Sequence, residues 1–153
     1  MNLKTADAGL RHFIKTLKKN IVNVVKVNMG RDTIVITDNH RYYVKFKKDF
    51  LMTFNKQFSN FVNENPKWKG VGETINIEHL RTAIRWNCRY IIIVYPDGKI
   101  YKIPPRLWFN FSTNNFLIRS QERGNTYIND FKKKTVHETT CHIPVKLMER
   151  FCR

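Results

Sequence analysis

The sequence predicts an α+β domain in which an antiparallel or mixed β-sheet is flanked by helices. Three observations lead there. Apolar residues recur at helical spacing near the start of the chain. Runs of β-branched and aromatic residues alternate with polar ones over residues 22–47 and 89–103, separated by turn-forming residues. The chain has 153 residues, 42% of them hydrophobic, with 11 Phe and 6 Tyr, enough to bury a core. One domain over residues 1–153 is the expected organisation.

The elements follow in order. Leu10, Phe13, Ile14 and Leu17 form one helical stripe between Thr5 and Asn20, while Arg11, Lys15, Lys18 and Lys19 fill the other side. Thr5 can cap this helix, and Asp7 complements its dipole. Val22 to Val27 and Asp32 to Thr37 read as strands, and Asp38-Asn39-His40 turns the chain into a third, Arg41 to Lys47. Alternation places Tyr42, Val44 and Phe46 on one face of that strand and Arg41, Tyr43, Lys45 and Lys47 on the other. Asp49 is expected to cap a helix whose buried stripe is Leu51, Phe54, Phe58, Phe61 and Val62, and a polar surface loop follows from Asn63 to Gly72. Asn76 caps a short helix with Ile77, Leu80 and Ile84 inward and Arg81 and Arg85 outward. Arg89 to Tyr95 and Lys99 to Ile103 form a hairpin about Pro96-Asp97-Gly98. Pro105 opens a helix carrying Leu107, Trp108 and Phe111. Phe116 to Arg119 and Tyr127 to Phe131 are expected as strands around a Gly124 turn, then a strand near Val136 and a last helix begun by Pro144.

Charge narrows the function. The 28 Lys and Arg against 12 Asp and Glu leave +16, a self-repulsion that a polyanion relieves. Nucleic acid is the default polyanion, with a basic enzyme or a membrane-surface protein as the alternatives. Cys88, Cys141 and Cys152 make an odd number without a Cys-x-x-Cys pair, which argues for a reducing compartment and against a disulfide framework or a four-ligand zinc module. The opening residues lack an apolar leader segment, and the longest apolar run, Ile91 to Tyr95, is too short to cross a bilayer. A cytoplasmic protein without membrane association is therefore expected, in the host cytoplasm if it is viral.

Cationic and aromatic residues interleave in three patches: Arg41, Tyr43, Lys45 and Lys47; Lys67, Trp68 and Lys69; and Arg119, Arg123, Lys132, Lys133 and Lys134. Cations neutralise phosphates and flat rings stack on bases, although each patch is equally compatible with a solvated face over packed rings. Carboxylates are scarce. Asp32 at a strand start, Glu73 after Gly70-Val71-Gly72, Glu78 on the following helix, and Asp97 beside Lys99 are the candidates for holding Mg²⁺ or Mn²⁺, with Lys45 or Lys99 at a scissile phosphate. Glu78 is the leading catalytic candidate with Glu73, and the alternative for Glu78 is a first-turn acid paired with Arg81.

Pro96-Asp97-Gly98-Lys99 contains the proline-aspartate and acid-any-lysine elements of the restriction-endonuclease-like nucleases, the PD-(D/E)XK group, but compressed into one turn. A second assignment takes Asp32 from one strand and Lys45 from the next, with Tyr43 where the group carries its second acid. It leaves that acid to be supplied by Glu73 or Glu78. The order of elements also resembles that group, and the richness in Asn, Lys and Ile resembles small proteins of archaeal viruses and plasmids. The resemblance implies a small Mg²⁺-dependent DNA nuclease. The second expectation is a non-catalytic DNA-binding protein, a viral or plasmid regulator or packaging protein using the same basic faces. DNA is favoured over RNA as partner, and a homodimer is allowed.

Overall fold

The computed structural model describes residues 1–128 and 132–151, with side chains at 1–120 and 138–151. It has the α+β architecture that the sequence predicts. Helix α1 (Ala6–Leu17) starts at Thr5, whose Oγ1 accepts from Ala8 N at 3.1 Å. It leads into the meander β1 (Ile21–Val27), β2 (Asp32–Thr37) and β3 (Arg41–Phe46). The chain continues through α2 (Phe54–Gln57), α3 (Ser59–Glu64), a 3₁₀ turn (Pro66–Trp68), β4 (Gly72–Asn76), α4 (Ile77–Arg85), β5 (Tyr90–Val94), β6 (Ile100–Ile103) and α5 (Pro105–Asn114). It closes with β7 (Ile118–Ile128), β8 (Lys132–Pro144), a second 3₁₀ turn (Val145–Leu147) and β9 (Glu149–Arg150).

Two sheets result. The larger has the order β1-β2-β3-β5-β6-β9 and is antiparallel except where β3 runs parallel to β5; the smaller is β4-β8-β7. The parallel pair needs a long crossover, and α2 to α4 with β4 supply it. Both faces of the larger sheet are covered. On one, Phe13 and Leu17 of α1 pack on Val35, Tyr42, Val44, Ile92 and Val94. On the other, Ile34, Tyr43, Ile91 and Ile93 meet Ile75, Leu80, Trp108, Cys141 and Ile143 from α4, α5 and the smaller sheet. Strands buried on both sides explain the unbroken Ile91-Ile92-Ile93-Val94 run.

Four elements differ from expectation. The helix expected after Asp49 is two short ones broken at Phe58 (φ −124°, ψ 44°), because Leu51 exchanges backbone hydrogen bonds with Gly72 and starts no helix. The polar loop ends in a strand, β4, whose apolar signature is only Ile75. Gly124 makes no turn: β7 runs straight through it, and the register with β8 slips between Arg123 and Asn125, as at a bulge. After Pro144 a single 3₁₀ turn gives way to β9, since Tyr101 and Lys102 on the β6 edge offer pairing to Arg150 and Glu149.

Candidate active site

The centre grows from the β2–β3 register. Thr33 lies opposite Val44, so Asp32 at the head of β2 comes beside Lys45 near the end of β3. Asp32 is 3% exposed, and three donors converge on its Oδ2: the Tyr43 hydroxyl at 2.7 Å, the Lys45 ammonium at 3.0 Å and the Asn28 amide at 3.2 Å. A buried carboxylate requires this degree of compensation. Helix α4 adds His79, whose Nδ1 lies 3.1 Å from Lys45 Nζ and 3.4 Å from Asn28 Nδ2. Both neighbours can only donate, so Nδ1 accepts and the neutral ring carries its proton on Nε2.

A second buried carboxylate approaches from the smaller sheet. Glu73, 2% exposed, accepts from the Tyr95 hydroxyl at 2.6 Å and from Thr74 N at 2.8 Å, and its Oε2 lies 3.7 Å from Lys47 Nζ. Lys45 feels the attraction of both acids, Asp32 more strongly than Glu73. Asn76, which caps α4 through Glu78 N, also donates to Glu138 of β8 at 3.0 Å.

Burial governs the electrostatics. It lowers the Lys45 pKa more than Asp32 raises it, and it raises that of Glu73 more than Lys47 and Tyr95 lower it. His79 is pushed down to about 4 by burial and then by the Lys45 charge, so it is neutral near pH 7. The Tyr43 and Tyr95 hydroxyls are held protonated, first by burial and then by the carboxylate each one faces. The cluster is not sealed, since side chains of Lys45, His79 and Lys47 keep 11%, 19% and 24% of their exposure.

The sequence-based candidates sort accordingly. The structure brings together Asp32, Tyr43, Lys45, Lys47 and Glu73. The face expected to present Arg41, Tyr43, Lys45 and Lys47 to solvent is instead packed against the smaller sheet and α4. Tyr43 is fully buried, and only Arg41 is exposed, lying over Trp86 at 5.8 Å. Glu78 does not join the centre: it is exposed and paired with Arg81 at 2.9 Å, as expected of a first-turn acid. Asp97 and Lys99 are exposed and engage each other within their own turn. Lys67 and Lys69 are exposed, with Lys67 Nζ 5.2 Å from the ring of Trp68, which packs edge-on against Phe111. Arg119 is exposed and bonded to Gln57, while the side chains of Arg123, Lys132, Lys133 and Lys134 lie outside the described residues.

Sequence reasoning missed His79, Asn28 and Tyr95. It also missed an open groove at the far end of β2 and β3, where His40, Arg41 and Arg89 line the surface with Asp38, and where desolvation, then the Arg89 charge, then Lys19 hold the His40 pKa down. Among the described residues no three His, Cys, Asp or Glu side chains converge as a metal cage. Mg²⁺ commonly takes only one or two protein carboxylates and completes its shell with water and phosphate oxygens; the buried carboxylates here, Asp32 and Glu73, each contact a different lysine, Lys45 and Lys47. A cation there would replace the lysine contacts that each carboxylate now makes. Among the described residues no helix is long and apolar enough to cross a membrane. Comparisons with protein-family models, curated proteins and solved structures find no match for this chain.

Proposed function

We propose that this protein binds nucleic acid and cleaves its phosphodiester backbone at the Asp32–Lys45–Glu73 centre, as a small Mg²⁺-dependent DNA nuclease. The observation that carries the reading is the contact of Asp32 with Lys45 across neighbouring strands of a hairpin, with a second buried carboxylate, Glu73, beside them. The Asp32–Lys45 pair supports the resemblance to the PD-(D/E)XK group in part, since that group has an acid on one strand and a lysine on the next. Tyr43 stands where that group carries its second acid, and Glu73 supplies the carboxylate from another strand.

Asp32 and Glu73 would hold the cation, which supplies charge neutralisation and a more acidic water when bound. Lys45, kept in place by Asp32 and His79, neutralises a phosphate oxygen at the partly open rim. Lys47 adds a second positive charge, and neutral His79 offers an uncharged donor through Nε2. Tyr43 and Tyr95 orient the carboxylates by donating to them and touch no substrate. Away from the centre, the His40–Arg41–Arg89 groove and the outer face of α1 supply phosphate contacts that carry no sequence preference.

One observation favours a second reading, a non-catalytic DNA-binding protein: each buried carboxylate already meets a lysine and could serve only to hold it. Incubation with linear duplex DNA separates the two. Degradation with Mg²⁺ or Mn²⁺ that chelator abolishes, and that Asp32→Asn and Lys45→Ala both lose, supports the nuclease. A stable mobility shift with intact DNA under every metal condition supports the binder. A parallel incubation with RNA of the same sequence reads the preference between the two nucleic acids.

A further inference from the structure

The β1–β2 turn closes with Gly30 N donating to Val27 O at 3.1 Å, and three successive residues adopt left-handed backbone: Asn28 (φ 53°), Met29 (φ 58°) and Gly30 (φ 82°). Asn and Gly tolerate that conformation, but Met gains nothing from it and its Cβ is crowded there. The turn nevertheless spends its second central position, where glycine is the easy choice, on a methionine. That side chain is 94% exposed, the most exposed of the large apolar residues described. Strain that presents an apolar group to water points to use.

Position supplies the use. Asn28, the residue before Met29, donates toward both Asp32 and His79, so the turn is anchored directly on the candidate centre. Exposed cations lie on both sides, Arg31 after the turn and Lys26 before it, the latter also paired with Asp7 at 3.2 Å. An unbranched, polarizable side chain between cations is suited to entering a base stack while its neighbours hold the phosphates.

We propose that Met29 is a wedge that inserts between stacked base pairs of duplex DNA and kinks it beside the Asp32–Lys45 centre. This rests on the nucleic-acid reading above and adds to it a substrate class, duplex DNA that is bent where it is held. Wedge residues of this type unstack a step and bend the duplex by about 20–90°. A substrate that is already unstacked, such as one with an unpaired bulge, then needs no wedge.

The test uses the full chain in chelator, so that no cleavage intervenes, with a short duplex labelled at both ends for energy transfer. Wild type is expected to bring the ends closer. Met29→Gly relieves the backbone and is expected to melt at a higher temperature than wild type, yet to bind intact duplex about tenfold more weakly and leave it straight. Met29→Leu should retain bending, and bulged duplex should bind wild type and Met29→Gly alike. Wild type that binds without bending, or a Met29→Gly protein that binds and bends as wild type does, overturns the wedge and leaves the nucleic-acid reading standing. Failure of wild type to bind duplex at all at low salt overturns both.

Discussion

Asp32 and Lys45 are a buried pair whose value lies in each having the other. Removing one partner leaves an uncompensated charge in a poorly solvated place, and losses of about 3–5 kcal/mol are typical of that situation. Lys45→Ala should therefore lower the unfolding free energy by a few kcal/mol, whereas Tyr43→Phe, which takes one of three donors from Asp32, should cost only about 1–2 kcal/mol. Denaturant titration of the two variants checks the order. Acid acts through the histidines. Imidazole titrates at 6.5 when unperturbed, and the fold holds both His79 and His142 down to about 4. The unfolded chain then takes up protons that the folded one refuses, so the stability they contribute is complete above pH 6.5 and drains as pH falls toward 4. Glu73 works in the opposite sense, since its pKa is raised from 4.5 and the folded form loses stability as pH rises through that region. Between pH 6.5 and 4 the histidines predict a melting temperature that drops on acidification, with Glu73 acting against them. His142→Phe should flatten the drop, for burial is the first cause of the His142 shift and its Nδ1 has no hydrogen-bond partner among the described residues. At this scale the sequence disclosed Asp32 and Lys45 through their strand spacing. It could not disclose His79, because one histidine on a helix makes no pattern, nor rank Glu73 above Glu78, because the difference is burial.

Elements formed where periodicity was long and stops were chemical. The α1 stripe, the β1–β2–β3 meander, the Asn76 cap and the β5–β6 hairpin were all legible, and so was the α+β class. What stayed hidden depended on contacts made far along the chain. β4 is a strand because β8 pairs with it, and residues 50–53 are not helical because Gly72 captures Leu51. Gly72 is needed for another reason, since a Cβ there would run into the buried ring of Phe54. Gly72→Ala should destabilise by about 1–3 kcal/mol and, because Glu73 follows directly, should disturb the second carboxylate of the centre as well. A thermal melt run beside a cleavage assay would show both effects. Gly9→Ala, where the Cβ meets Phe46 Cδ1 at 2.8 Å, should destabilise as well.

Across the whole molecule, the +16 charge was visible from composition, but its arrangement was not. Several acids are spent on local pairs, Asp7 with Lys26, Glu78 with Arg81, Asp97 with Lys99, and the two buried ones with Lys45 and Lys47. On the proposed reading, the exposed cations of α1 and of the Arg41–Arg89 groove meet the phosphates of the nucleic acid. Affinity for duplex DNA should accordingly fall by orders of magnitude between low and moderate salt, a slope readable by fluorescence anisotropy. Cleavage, in contrast, should depend on one of two neighbouring glutamates. The direct measurement is the Mg²⁺-dependent rate of duplex cleavage by Glu73→Gln and Glu78→Gln beside wild type. Loss of cleavage in Glu73→Gln with near-wild-type activity in Glu78→Gln is the predicted result. Full activity in a folded Glu73→Gln protein would contradict the assignment of the centre.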